Sequence, residues 1–315
     1  MGPRSPEEAA FLWSEGKALA TKGDCTGAVG PLKRFVDRYP GLENYVVAHL
    51  LLGRCQFVLG ETTAAIKALR YFVGGSGARA YPEYFEGKVL LTRALIKIRD
   101  FPEALLAATE LERETRDRPA LTARRVEGLL LKAEALSGRG EGSRAQAALT
   151  SAQSNLKGGA LPDSAAAPLR AELALVSLEL NARECAALPS RDQMDEAQAR
   201  SQYDRRASCQ LKGLTYFREV LAQNQESWSA RAVNELLESF HDYSQACGSP
   251  PEPKPLREGK PRTAEQLRKY KDELAALLKS ECAAHRREAL DLLATWKAQA
   301  PPTTAGMIEK VRAGL

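Results

Sequence analysis

Apolar residues recur every three or four positions between residues 9 and 40. Leu12, Gly16 and Leu19 precede a polar turn at Lys22-Gly23-Asp24, and Ala28, Leu32 and Phe35 follow it before Tyr39-Pro40. This period predicts two helices. Gly and Ala fall where antiparallel helices touch backbone to backbone, so the pair reads as a helical hairpin. The skeleton returns at Leu52-Gly53, Gly60, Ala65, Leu69 and Phe72, and more loosely at Leu91, Leu95, Asp100-Phe101, Ala104 and Leu111. A fourth pair is visible in Val126 to Leu136, the turn Gly138-Arg139-Gly140-Glu141-Gly142, and Ala145 to Leu156. The alanines at 28, 65, 104 and 145 give spacings of 37, 39 and 41 residues. Self-similarity of this size is the mark of a stacked repeat protein.

Beyond the repeats the pattern loosens. Gly158-Gly159 to Pro162-Asp163 breaks the chain, and Asp163 or Ser164 caps an Ala- and Leu-rich helix expected to end near Asn181. After Pro189-Ser190 a helix is predicted from Arg191 to about Asn224, polar at first and then amphipathic through Leu211, Leu214, Phe217 and Leu221. Ser227 to Cys247 carries Trp228, Ala232, Leu236, Phe240 and Tyr243 on one stripe. Gly248 to Pro261 contains five prolines and reads as a linker. Thr263 and Gln266 form a capping-box pair for a long helix with Leu267, Tyr270, Leu274, Leu278, Cys282, Leu293 and Trp296 on one side. Pro301-Pro302 ends it before a short helix with Met307, Ile308 and Val311. The expected organisation is thus repeats over 1–158, further degenerate hairpins over 159–247, a linker over 248–262, and a helical cap over 263–315. The long helix is expected to cover the exposed end of the repeat array; the alternative is a dimeric coiled coil.

The first hairpin resembles a tetratricopeptide repeat. Gly16, Gly23, Ala28, Phe35 and Pro40 stand where that family has its Gly, turn Gly, Ala, apolar and terminal Pro residues, with Leu12 and Leu19 in place of the usual Trp and Tyr. The second unit matches at Leu52, Gly53, Gly60, Ala65 and Phe72; the third has Thr92 and Arg99 where glycines would stand. The repeats are longer than the family's, about 34 residues. The resemblance implies an all-α, right-handed superhelical stack of hairpins with the first helix of each lining a concave groove. Superposing the first three repeats puts Lys17, Arg54 and Arg93 at one inner position and Trp13, Leu50 and Val89 one turn earlier, with Phe57 extending the apolar strip. Such a groove suits an acidic protein or peptide with an apolar anchor. The alternative is that the three cations are solvated charges paired with nearby glutamates. The asparagines of the family's carboxylate clamp are absent from these positions.

Composition supports the class and narrows the chemistry. The apolar fraction is 44%, with no β-branched run that reads as a buried strand. Net charge is +5; the first 160 residues carry 23 basic and 18 acidic groups, and the remainder 22 of each. That mild excess points to an acidic protein partner rather than nucleic acid. No apolar run is long enough to cross a bilayer. The start, Met1 to Glu8, lacks the basic and apolar regions of an export signal and reads as a flexible leader.

Six cysteines form an even set without a CxxC, and fifteen pairings are open. Spacing does not choose among them; Cys185 with Cys209 would tie a helix end to the next helix and Cys247 with Cys282 would bridge the Pro-rich linker, and the alternative is free cysteines in small buried slots. Of the histidines, His49, His241 and His285, none stands in a catalytic setting. Cys282 and His285 share a helix face, but two ligands make a weak metal site, so neither metal nor cofactor is expected. The expected function is a non-enzymatic scaffold that binds a protein in its basic groove, within a bacterial cell-envelope assembly serving secretion, outer-membrane biogenesis or motility. A periplasmic or envelope setting fits bridged cysteines; a cytoplasmic adaptor fits free ones. The rival functions are a helical array for single-stranded nucleic acid, and an enzyme whose site lies in 159–247 around His241.

Overall fold

The first helix begins where its capping chemistry dictates. Ser5 Oγ accepts a hydrogen bond from the Glu8 backbone N–H at 3.0 Å, Pro6 occupies the first turn, and Glu7 and Glu8 face the positive end of the helix. The computed structural model describes residues 5–75, 77–158, 161–186, 196–248 and 263–315. Among these the chain is all-α, with thirteen α-helices, two short 3₁₀ turns and no strand. It divides into two units, Met1–Leu161 and Pro162–Leu315.

The first unit holds α1 (Pro6–Thr21), α2 (Cys25–Arg38), α3 (Tyr45–Val58), α4 (Thr62–Gly74), α5 (Tyr84–Lys97), α6 (Phe101–Thr115), α7 (Thr122–Gly138) and α8 (Gly142–Lys157). Each helix packs on the next, and α1 touches α3, α3 touches α5, and α5 touches α7. Close approach within a hairpin depends on absent side chains. A Cβ on Gly16 would lie 2.8 Å from Leu32 Cγ, and one on Gly53 would lie 2.7 Å from Leu69 Cγ. Overpacking such a contact costs about 1–3 kcal/mol. Ala28, Ala65, Ala104 and Ala145 are all fully buried, so the periodic alanines lie in the packed interior of their hairpins. The hairpin turns share one left-handed residue: Gly23, Gly60 and Gly140 have φ of 81°, 82° and 77°, and Arg99 takes the same position at 63°.

The second unit holds α9 (Asp163–Ala186), α10 (Glu196–Ala222), α11 (Glu226–Cys247), α12 (Ala264–Gln299) and α13 (Pro302–Gly314). Helix α9 runs past the expected stop at Asn181. The α10–α11 turn repeats the left-handed device with Asn224, φ 53°. Thr263 and Gln266 make the expected capping box, and α12 continues for 36 residues. Its stripe is covered inside its own unit. Leu274 and Leu278 pack with Tyr203, while Ala289 and Leu293 join a core with Leu175, Leu214, Phe217, Leu236 and Ile308. Residues 263–315 thus share the second unit with the helices of 162–248, and Leu274, Leu278, Ala289 and Leu293 of the stripe are buried within it. The linker expected over 248–262 lies, after Gly248, outside the described residues, as do Ala187-Leu188-Pro189 and Arg191.

All six cysteines are paired. Cys185–Cys209 ties α9 to α10 and Cys247–Cys282 ties α11 to α12, with Cα atoms 5.8 Å and 6.3 Å apart; Cys25–Cys55 ties α2 to α3 at 4.7 Å. The third bridge follows from antiparallel packing, which sets the start of α2 beside the end of α3. Loops of 24 to 35 residues correspond to about 3.5 kcal/mol per bridge in the chain-entropy account. Three such pairs are the pattern of an oxidising, extracytoplasmic compartment. Among the described residues no helix is long and apolar enough to cross a membrane.

Candidate protein-binding surface

The seven residues expected to line a groove separate into two groups. Leu50 and Val89 are 1% and 4% exposed. Leu50 packs with Phe72 and Leu91, and Val89 lies among Ala108, Leu111 and Leu131, so both belong to the core and not to an accessible strip. The reason is packing from two sides: Leu50 shares a core with α4 of its own hairpin and with α5, and Val89 with α6 of its own hairpin and with α7. Phe57 is half-buried, and the Lys97 ammonium sits 5.2 Å from its ring centroid.

The cations also differ from one another. Arg54 Nη1 lies 3.2 Å from Glu86 Oε1 on α5, so this member of the ladder is paired with a glutamate. Arg93 is half-buried on α5. Lys17 is exposed, has no carboxylate partner among the described residues, and holds its ammonium 5.6 Å from the centroid of the Trp13 ring, one turn earlier on α1. A cation over an indole face is an attractive arrangement that leaves the ammonium open to a second, anionic partner.

Trp13 itself stands on the wall of an open cleft of about 470 Å³. Ala9 and Trp13 line it from α1, Phe35 and Tyr39 from the end of α2, and Leu42 and Asn44 from the loop that follows. The rings of Trp13, Phe35 and Tyr39 form a run with centroids 5.8 Å and 6.0 Å apart. Ser5, Glu43 and Asn44 give the lining its polar part, and the Tyr39 hydroxyl donates at 2.6 Å to Glu8, which pairs with Arg38. The bond to Glu8, then burial, raises the Tyr39 phenol above its ordinary pKa, so the hydroxyl remains a donor at neutral pH. The sequence pointed to Trp13 but not to Tyr39 or Leu42, which the helix C-terminus and the Pro40-Gly41 turn swing towards α1.

Elsewhere in the first unit the charges satisfy each other. Lys88, 4% exposed, bonds Glu114 at 2.9 Å and Glu110 at 3.2 Å, with its ammonium 5.3 Å from the Tyr84 ring centroid. Lys132 bonds Glu112 at 2.8 Å; burial alone would raise the Glu112 carboxyl, but Lys132 and Arg116 outweigh it and hold the group below its usual range. These pairs fasten α5 to α6 and α6 to α7.

His49 lies between Tyr45 and Tyr71, stacked on Tyr71 with centroids 4.1 Å apart. Both ring nitrogens are buried without a hydrogen-bond partner among the described residues. Burial, opposed in part by Asp37, pulls its pKa down to about 4, so the ring is a neutral packing group. His241 shares a hydrogen bond of 2.8 Å with Gln245 on an exposed face of α11. The chain matches no known protein-family description and no curated protein.

Proposed function

We propose that this protein is a non-enzymatic scaffold, related in design to tetratricopeptide-repeat adaptors, which holds an acidic protein segment by an apolar anchor on its first unit. The observation that carries the reading is the pairing of the Trp13 cleft with the Lys17 ammonium. An apolar side chain would enter between Trp13, Phe35 and Leu42, and the exposed Lys17 ammonium beside Trp13 would take a neighbouring carboxylate on the side away from Glu43 of the lining. The tandem contacts α1–α3–α5–α7, the shared turn geometry and the repeated alanines support a curved stack of hairpins as the frame. Three disulfides support an extracytoplasmic setting, which we place in a bacterial cell envelope as part of a larger assembly.

Selection from a random peptide library tests this with the oxidised full-length protein. Enrichment of sequences with a large apolar residue next to Asp or Glu is expected. Trp13→Ala should weaken the selected peptides roughly thirtyfold and Lys17→Glu roughly tenfold. Arg54→Glu is the less informative variant, because it places a second carboxylate beside Glu86. Failure to enrich such sequences, or affinity unchanged in both variants, overturns the reading.

A further inference from the structure

The second unit brings together three metal-ligating side chains that are far apart in the sequence. Asp204 projects from α10, and Glu281 and His285 from adjacent turns of α12, with ligand atoms of all three within 4.8 Å of one another. The spacing of four residues puts Glu281 and His285 on one helix face. A divalent ion bonded at about 2.1 Å holds its ligand atoms roughly 3.4 Å apart, so closing the set calls for side-chain rotation and no helix movement.

The surroundings hold these residues in place. Tyr203, next to Asp204, is buried against Leu274 and Leu278, and its hydroxyl donates to the Ala246 carbonyl at 2.7 Å. Cys282, next to Glu281, is bridged to Cys247 at the end of α11. Each helix that contributes a ligand is therefore anchored one residue away from it. Glu288 lies 3.8 Å from His285 Nδ1 and adds a third carboxylate to the local field. Tyr243 of α11, 6% exposed, keeps its hydroxyl buried without a hydrogen-bond partner among the described residues. Burial, then the charges of Asp204, Tyr203 and Glu281, pushes that phenol up to about 12. Asp204 and Glu281 thus act on this buried hydroxyl as negative charges, with Arg206 opposing them.

We propose that Asp204, Glu281 and His285 form a binding site for a divalent transition-metal ion of the zinc class. Two carboxylates supply charge, and the imidazole favours a borderline metal over magnesium or calcium. Three protein ligands leave a coordination position on the exposed Asp204 side for water or for a ligand from another molecule. Binding clamps α10 to α12.

The test uses the untagged, oxidised full-length chain, stripped with a chelator and titrated calorimetrically with zinc chloride, with Co²⁺ absorption as an independent readout. One Zn²⁺ per chain is expected, with Mg²⁺ in excess failing to compete. His285→Ala and Asp204→Asn should each weaken Zn²⁺ at least about tenfold, judged against the ligand-sphere losses seen at known sites. His241→Ala should leave binding unchanged. Both ligand variants change exposed or half-exposed residues, and circular dichroism checks that they fold. No Zn²⁺ binding by the unaltered chain, or undiminished binding in His285→Ala and Asp204→Asn, overturns the proposal.

Discussion

In the first unit each helix finds its cover in the next one along the chain, whereas in the second unit α12 returns across Gly248 and beyond to pack on α10 and α11. The two also differ in their joints. Hairpins of the first unit close through glycine and alanine at the contact and a left-handed turn residue, and one disulfide joins α2 to α3. The second unit has longer helices and two disulfides, one of which secures the returning helix. Local closure asks little of loop entropy, while a contact across a long intervening segment must first overcome it. The difference teaches where stability is cooperative: the first unit can be weakened one joint at a time, and the second depends on α12 being held.

The comparison is tested hardest by breaking the bridge to α12. Replacing Cys247 and Cys282 together by Ser should destabilise the second unit by about 3.5–4 kcal/mol. Hydrogen exchange should show α12 and α13 losing protection while α1 to α8 keep theirs. Equal loss of protection in both units would erase the distinction drawn here.

A somewhat smaller effect belongs to the first unit alone. The folded-state pKa of His49, about 4, lies below its unfolded value of about 6.5, so the unfolded chain takes up a proton in that window and the folded chain does not. Stability is therefore fully present above pH 6.5, falls as pH drops towards 4, and loses about 3 kcal/mol from this group. In His49→Phe that contribution should vanish from denaturant unfolding measured across the window. A pH profile identical to that of the unaltered chain would remove His49 from the account.

The smallest effect probes the turn. Arg99 adopts φ 63°, where Gly23, Gly60 and Gly140 stand in the sister hairpins. Arg99→Gly should stabilise the third hairpin by about 1 kcal/mol, the strain of an L-residue in this conformation less the added freedom of glycine when unfolded. Thermal unfolding reads the sign directly, and a loss of stability would mean that the turn is unstrained.

The helical hairpins were legible because their signals are local. Ser5 with Pro6 and Glu8, Thr263 with Gln266, the turn glycines and the periodic alanines each act within a few residues, so the residues themselves determine the helices, their capped starts and their pairing into hairpins, though not the end of α9. Of the fifteen pairings the sequence left open, it raised Cys185–Cys209 and Cys247–Cys282 as possibilities and not Cys25–Cys55, although α2 and α3 are also adjacent in the chain. The candidate site was legible in part: Trp13 and Lys17 share one helix face, and a spacing of four residues suffices to place them together.

Only tertiary structure decided what covers each face. Periodicity says that Leu50 and Val89 lie on a particular side of α3 and α5, but their own hairpin and the next one together bury them. Register aligned Arg54 with Lys17, yet Glu86, on another helix, took Arg54 as its partner. Asp204 met Glu281 and His285 because α12 docks on α10, a contact that no local pattern encodes. Helix formation depends on neighbours along the chain, whereas burial, charge pairing and ligand geometry depend on neighbours in space, and the chain alone does not say which those will be.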